Sequence, residues 1–318
     1  AGLEAGDVIL KIDGESIRDL PIDRSVDLMR GPTGSEVLLN IGRRGVAEPF
    51  DVTVIRDMIK VPSVRSRELM EGYLWLRASQ FQKDTGHEAI AILAEVLAEG
   101  SLKGVVLDLR NNPGGVLGAS VDMAGAFLDG GLVVYTKGRH PQAADSYDAA
   151  AGDMLDGLPI VVLINGGSAS ASEIVAGALQ DRRRAVIMGT RSFGKGSVQT
   201  ILPISDTRAV KLTTARYYTP NGRSIQAEGI VPDIVVDRAE VKSVESNRRR
   251  KEADLQGSLA AEDTADAQSE SESLTDLRNN DNQLYEALTL LRGINLLTPA
   301  APEASPVDEA ADTIALQD

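Results

Sequence analysis

The chain has 318 residues, 33 Lys and Arg against 47 Asp and Glu, a net charge of −14, two histidines and no cysteine. The absence of cysteine excludes disulfide staples, thiolate zinc sites, iron–sulfur clusters and a Cys nucleophile, and His87 and His140 alone leave little room for a three-His metal site or a His-based triad. The negative charge argues against bulk attraction to nucleic acid or anionic lipid, and no apolar run approaches the roughly 18 to 20 residues needed to span a bilayer.

The chain opens on Ala1 with no Met, basic n-region or apolar h-region, so no signal peptide is read. Because the first residues read as mid-domain sequence, the chain is expected to be a fragment whose true N-terminus is missing. Residues 1–57 alternate short apolar runs with turn residues. Asp7 to Ile12 and Glu36 to Ile41 read as strands, and Asp13-Gly14 is a hairpin-turn signal. Between them Ile22, Val26 and Met29 fall at helical spacing, ended by Gly31-Pro32. A small β-rich domain with one helix beside a groove is expected here.

From 58 to 244 buried strands alternate with helices. Val105 to Leu109 and Ile160 to Ile164 are continuous apolar runs, as strands covered on both faces should be. Each ends in a Gly/Asn-rich loop that feeds an apolar helix, Val116 to Leu128 and Ser172 to Leu179, which predicts a layered α/β core with its ligand site at the carboxyl ends of the strands. Beyond 245 the composition turns to Glu, Ser, Asp, Gln and Ala, with 16 acids and 6 bases in residues 245–318, so most of the acidity belongs to the tail. Residues 245–281 read as a disordered linker holding a basic knot at Arg248 to Lys251. Asn282 to Leu297 places Leu284, Leu288, Leu291 and Ile294 on one helical face, which should dock, and 298–318 read as a mobile tail.

Three constellations could carry chemistry. Asn165 to Glu173 follows a buried strand and opens a helix, so its small residues and free N–H groups suit either an oxyanion site with a serine nucleophile or a plain Ser-rich N-cap with Glu173 in the first turn. Gly189 to Gly196 nearly matches a phosphate-binding loop, but Gly196 stands where the magnesium-holding hydroxyl should be and Ser197 to Leu202 reads as strand, so no nucleotide site is assigned. Asp108 to Gly115 is a tight turn after a strand whose Pro-Gly-Gly can offer unencumbered N–H donors, with Asp108 and Arg110 paired to hold the loop. His87, His140, Tyr73 and Trp75 read as surface or packing residues.

Taken in order, Asp108 to Gly115, Gly167 to Glu173, Gly189 to Gln199, Tyr217 to Gln226 and Gly229 to Asp233 closely resemble the carboxy-terminal processing (tail-specific) serine peptidases, over roughly residues 1 to 240. The resemblance implies an α/β fold: a layered crotonase/ClpP-like αβ catalytic core behind an N-terminally incomplete PDZ domain and ahead of the acidic tail. It also implies Ser170 as nucleophile, Lys195 as general base, Gln199 as the residue orienting that lysine, and Asp181 as a supporting acid. Ala171 N–H with that of Gly114 or Gly115 would form the oxyanion hole, the choice between the glycines being open. Residues 195, 197 and 199 share one face of a strand, so Gln199 can reach back to Lys195.

A lysine base must be desolvated until its neutral form is populated, and Phe193 with the run Val198 to Leu202 is expected to supply that burial. Such a Ser–Lys dyad needs no histidine, metal or other cofactor. The expected partners are protein or peptide substrates held by their C-terminal tails, with a homo-oligomer or adaptor in view. Nucleic acid is not expected, and the family setting is the periplasm or cell envelope. Two rival readings stay open: a PDZ-type binding protein with a silent core, and a crotonase-type enzyme acting on acyl-CoA.

Overall fold

A computed structural model describes residues 2–4, 6–58, 62–140, 144–205, 208–242 and 274–297. The basic knot at 248–251, most of the expected linker and the expected tail lie outside the described residues. The chain divides into two compact units, Ala1–Pro62 and Ser63–Asp318.

The first unit is an antiparallel sheet in the order β2-β1-β3-β4, built from β1 (Val8–Ile12), β2 (Glu15–Ser16), β3 (Glu36–Gly42) and β4 (Phe50–Ile55). Asp13 and Gly14 both take positive φ, 47° and 83°, as the tight turn between β1 and β2 requires. Ile12, Val37, Leu39 and Ile41 form the small core. Helix α1 (Ile22–Met29) meets this core through Leu28 and Met29 and buries Ser25, whereas Ile22 is 74% exposed. The inward face of α1 is thus rotated from the expected Ile22–Val26–Met29 stripe. Arg56 caps the last turn of α1, donating to the Met29 and Leu28 carbonyls at 2.8 and 3.1 Å, a cation at a helix C-terminus. Arg43 bonds both Asp7 oxygens, and this hydrogen bonding holds the Asp7 carboxyl down at about 2.

The second unit has a six-stranded sheet in the order β14-β11-β10-β7-β6-β5. Its strands are β5 (Val64–Met70), β6 (Tyr73–Ala78), β7 (Gly104–Asp108), β10 (Ile160–Ile164), β11 (Val186–Gly189) and β14 (Ile234–Val235). All neighbours pair in parallel except β5 with β6. Alternate residues of β7 enter different cores: Val105 and Leu107 pack with α2 (Thr85–Ala98), α3 (Leu117–Gly125) and α4 (Ala171–Asp181), while Val106 packs with α6 (Asn282–Leu297). That two-sided covering explains why β7 and β10 read as unbroken apolar runs.

A second sheet, order β12-β13-β8-β9, is antiparallel and comprises β8 (Gly131–Gly138), β9 (Ser146–Ala149), β12 (Ser197–Ser205) and β13 (Arg208–Tyr218). The expected linker 245–281 is not irregular to its end. Residues 274–280 form helix α5, because Leu274 and Leu277 have apolar partners in the same cluster that receives Leu284, Leu288 and Leu291 of α6. No helix among the described residues is long and apolar enough to cross a membrane.

Candidate active site

Ser170 stands at the junction between β10 and α4, as the N-cap residue of α4, with φ 56° and ψ −111°. A non-glycine residue in that region is strained by about 1–3 kcal/mol and persists only where its surroundings over-determine it. They do so here. Ala169 N–H donates to the Asn112 carbonyl at 2.9 Å, Ser168 Oγ to the Leu109 carbonyl at 2.8 Å, and Ser172 Oγ to the Asn112 carbonyl at 2.9 Å. The 168–172 segment is therefore stitched to the 108–115 loop at the carboxyl end of the neighbouring strand.

Glu173 completes the arrangement. It is fully buried, and its carboxylate accepts four hydrogen bonds: Ser170 N–H at 2.7 Å and Lys195 N–H at 2.9 Å on Oε2, Ser192 Oγ and Gly194 N–H at 2.6 Å on Oε1. The first of these is the return half of a capping box. The other three carry the 190–196 loop, between β11 and β12, to the start of α4. Four donors satisfy a buried carboxylate that forms no ion pair among the described residues. Sequence reading placed Glu173 only as a helix-capping residue; the S-x-x-E spacing signals the cap, but nothing local signals the second loop.

Lys195 is half-buried, and no hydrogen bond joins its Nζ to Ser170 Oγ or to Gln199 among the described residues. Two expectations about its surroundings need correction. Phe193 is 67% exposed and Ile201 66%, so they do not supply the apolar cover expected of them. The alternation through 195, 197 and 199 also fails. Lys195 and Gly196 precede β12, and Gln199 is exposed, whereas its neighbours Val198 and Thr200 are partly buried. The backbone on either side of Lys195 is gripped instead by the 225–229 turn. Ala227 N–H donates to the Gly194 carbonyl at 2.9 Å, and a Cβ on Gly196 would overlap the Gln226 backbone. Asp181 anchors the approach to this turn, accepting Asn221 N–H at 2.8 Å and pairing with Arg223.

The candidate oxyanion donors are separated by their partners. Gly114 N–H is spent on Asn112 Oδ1 at 2.9 Å, while Gly115 and Ala171 N–H donate to no protein acceptor among the described residues. Phe81 N–H bonds the Gly114 carbonyl and Val116 N–H bonds the Phe81 carbonyl, so the intervening Gly115 amide faces away from Phe81. Gly115 has φ 144°, and a Cβ there would overlap the Phe81 carbonyl. Gly115→Ala is expected to lower the thermal midpoint by several degrees, since the backbone strain alone is about 1–3 kcal/mol and each kcal/mol shifts a unit of this size by about 2–4 °C. Calorimetry checks this, and an unchanged midpoint would show that the loop has room the geometry denies.

A cleft of about 1200 Å³ lies on the second sheet, lined by Leu117, Val198, Thr200, Leu202, Leu212 and Thr214 among others. Ser170 and Lys195 do not line it, but Leu117 follows Gly115 by two residues and Val198 follows Lys195 by three.

The profile of peptidase family S41 matches residues 72–236, and that of the PDZ domain matches residues 1–43. The chain is 47% identical over 299 residues to a carboxy-terminal-processing protease of Bartonella bacilliformis, covering 92% of this chain and 68% of that protein. It is 38% identical to a carboxyl-terminal-processing protease of Synechocystis, covering 75% of this chain and 56% of that one. The solved structure of a photosystem II D1 C-terminal processing protease superposes with a TM-score of 0.51 at 33% identity, over 74% of this chain and 64% of that one. The chain thus spans about half to two thirds of the length of these relatives. Both profiles fall on the units that carry the matching motifs, and the chain belongs to peptidase family S41, with a PDZ domain ahead of its α/β core.

Proposed function

We propose that this chain is the PDZ-bearing catalytic part of a serine endopeptidase that cleaves protein substrates near their C-terminal tails through a Ser170–Lys195 dyad. The observation that carries the reading is the Glu173 carboxylate, which bonds the backbone N–H of both Ser170 and Lys195 and so fixes the two segments to one point. In the reaction neutral Lys195 Nζ takes the Ser170 hydroxyl proton as Oγ attacks the scissile carbonyl. Ala171 and Gly115 N–H receive the negative charge that develops on the carbonyl oxygen. The Lys195 ammonium then gives its proton to the leaving amine, and the amine recovered on Lys195 activates the water that hydrolyses the Ser170 ester. Gln199 would orient the lysine after a turn of its side chain towards the site, and Asp181 would keep the 219–226 segment in place behind it. No cofactor enters these steps. The relatives' names support a cut near the substrate's C-terminus, the PDZ unit suits capture of a peptide tail, and a bacterial cell-envelope setting is part of the same proposal.

One observation favours a second reading, a PDZ-type binding protein whose core is silent in this chain: Ser170 Oγ and Lys195 Nζ share no hydrogen bond among the described residues, and Phe193 leaves the lysine open. A fluorophosphonate probe separates the two. Labelling of wild-type protein at Ser170, lost in Lys195→Ala, is the expected result. Absence of wild-type labelling, or labelling that survives Lys195→Ala, would leave the silent-core reading standing.

A further inference from the structure

We infer that Asp281, the residue immediately before helix α6, is a positioning residue for the oxyanion loop: its ion pair with Arg110 makes the start of α6 part of the active-site scaffold. This rests on the reading of Ser170 and Gly115 given above. Arg110 follows β7 by two residues and has a side chain only 9% exposed. Its guanidinium bonds two carboxylates at once, Asp108 through Nε and Nη2 at 2.9 and 2.7 Å, and Asp281 through Nη1 and Nη2 at 2.8 and 2.7 Å. Both contacts are two-pronged, the geometry that a planar guanidinium offers and that fixes its orientation as well as its place. Gln283 of α6 adds a third acceptor at 3.0 Å.

Two further cations face these acids: Arg77 bonds Asp108 at 3.2 Å, and the charge of Arg238 acts on Asp281. Burial works against both partners, yet the bonds between them outweigh it. The Asp281 carboxyl is held below its ordinary value, and the Arg110 guanidinium is pushed above its own. The pair is therefore charged throughout the range in which an enzyme works.

Asp281 is also more than an anchor for Arg110. Its Oδ1 accepts Leu284 N–H at 3.1 Å, capping the first turn of α6. The next two residues grip the chain that leaves β14, Asn282 bonding the Asp237 carbonyl and Ala239 N–H, and Gln283 the Val236 carbonyl. On the other side of Arg110 the loop runs without slack to the site. Asn111 takes φ 55° and is held by Asn165, Asn112 is bonded to the nucleophile segment, and Gly115 is pinned against Phe81. The intervening Gly114 is itself held, its N–H on Asn112 Oδ1 and its carbonyl on Phe81 N–H, so a shift of the Arg110 backbone is passed on to the Gly115 N–H. The apolar face of α6, with Leu284, Ala287, Leu288 and Leu291, holds the helix to the sheet independently of this ion pair.

The two contributions separate by mutation. Asp281→Asn keeps size and capping ability but removes the charge, and Leu288→Ala opens a cavity under α6 without touching Arg110. The readout is the second-order rate of Ser170 phosphonylation by a fluorophosphonate, whose P=O occupies the oxyanion site, measured beside the thermal midpoint. Loss of correctly placed oxyanion donors costs about 10²–10³ in rate, and misplacement of one donor is expected to slow labelling by about 10-fold or more. Asp281→Asn should therefore lower the midpoint, because the amide N–H₂ turns a donor towards the Arg110 guanidinium, and should still slow labelling strongly at temperatures well below that midpoint; Leu288→Ala should lower the midpoint and leave labelling below it unchanged, and Asp281→Glu should restore part of the rate. Labelling of Asp281→Asn within twofold of wild type, or slowing that tracks the midpoint equally in both variants, would overturn the inference. Wild-type protein that is not labelled at all would instead overturn the reading of the dyad, and the inference with it.

Discussion

Ser170→Ala is expected to reduce cleavage of a C-terminal tail peptide by about 10³- to 10⁶-fold, the range seen when the nucleophile of a serine peptidase is removed. The effect should be this large because no neighbour can substitute. The chain has no cysteine, and Ser168 and Ser172, on either side, are fully buried with their hydroxyls committed to the Leu109 and Asn112 carbonyls. Lys195→Ala should fall to a similar residual rate, and the double variant should be no worse than either single one, because groups that act as one unit are lost together. Progress curves with a tail peptide and full-length protein check both points. Fully additive losses would mean that Lys195 acts elsewhere than on the Ser170 hydroxyl. Cleavage by Ser170→Ala at near wild-type rate would remove Ser170 from the chemistry.

What could be read from the sequence, and what could not, divides along the range of the interaction. The strands at 104–108 and 160–164, the turn at Asp13-Gly14 and the helix at 282–297 follow from patterns confined to a few residues, and the folded chain has each of them. The loops that carry Ser170 and Lys195 were legible as loops for the same reason, since each is a short motif at a strand end. The surroundings of Lys195 were not. Phe193 is apolar and adjacent, but its ring points to solvent because Gly194 and Lys195 N–H are drawn inward to Glu173, and a period-2 argument does not reach Lys195, which lies before β12 begins. Asp281 lies 171 positions from Arg110 in a stretch whose composition reads as linker, so no local pattern could have joined them.

Glu173→Gln is expected to lower activity by about 100-fold or more and to destabilise the second unit measurably. The amide keeps the shape of the carboxylate but turns one acceptor oxygen into an N–H₂ donor. Whichever way the amide is turned, it faces two groups that also donate: Ser192 Oγ and Gly194 N–H on one side, or Ser170 and Lys195 N–H on the other. Each buried donor left without an acceptor costs about 1–3 kcal/mol, so two cost about 2–6 kcal/mol, a large part of a total stability of about 5–15 kcal/mol. The 190–196 loop can escape this by detaching from α4, which would spare the fold and carry Lys195 away from Ser170. The two consequences therefore trade against each other: a variant whose midpoint is preserved should be the less active. Glu173→Asp retains both oxygens and the charge but is one methylene shorter, so it should hold either the Ser170 amide or the lysine loop, and activity should recover only in part. Thermal unfolding and kcat measured on the same preparations test this pairing. Glu173→Gln with both quantities close to wild type would show that the four hydrogen bonds do not hold the two segments together.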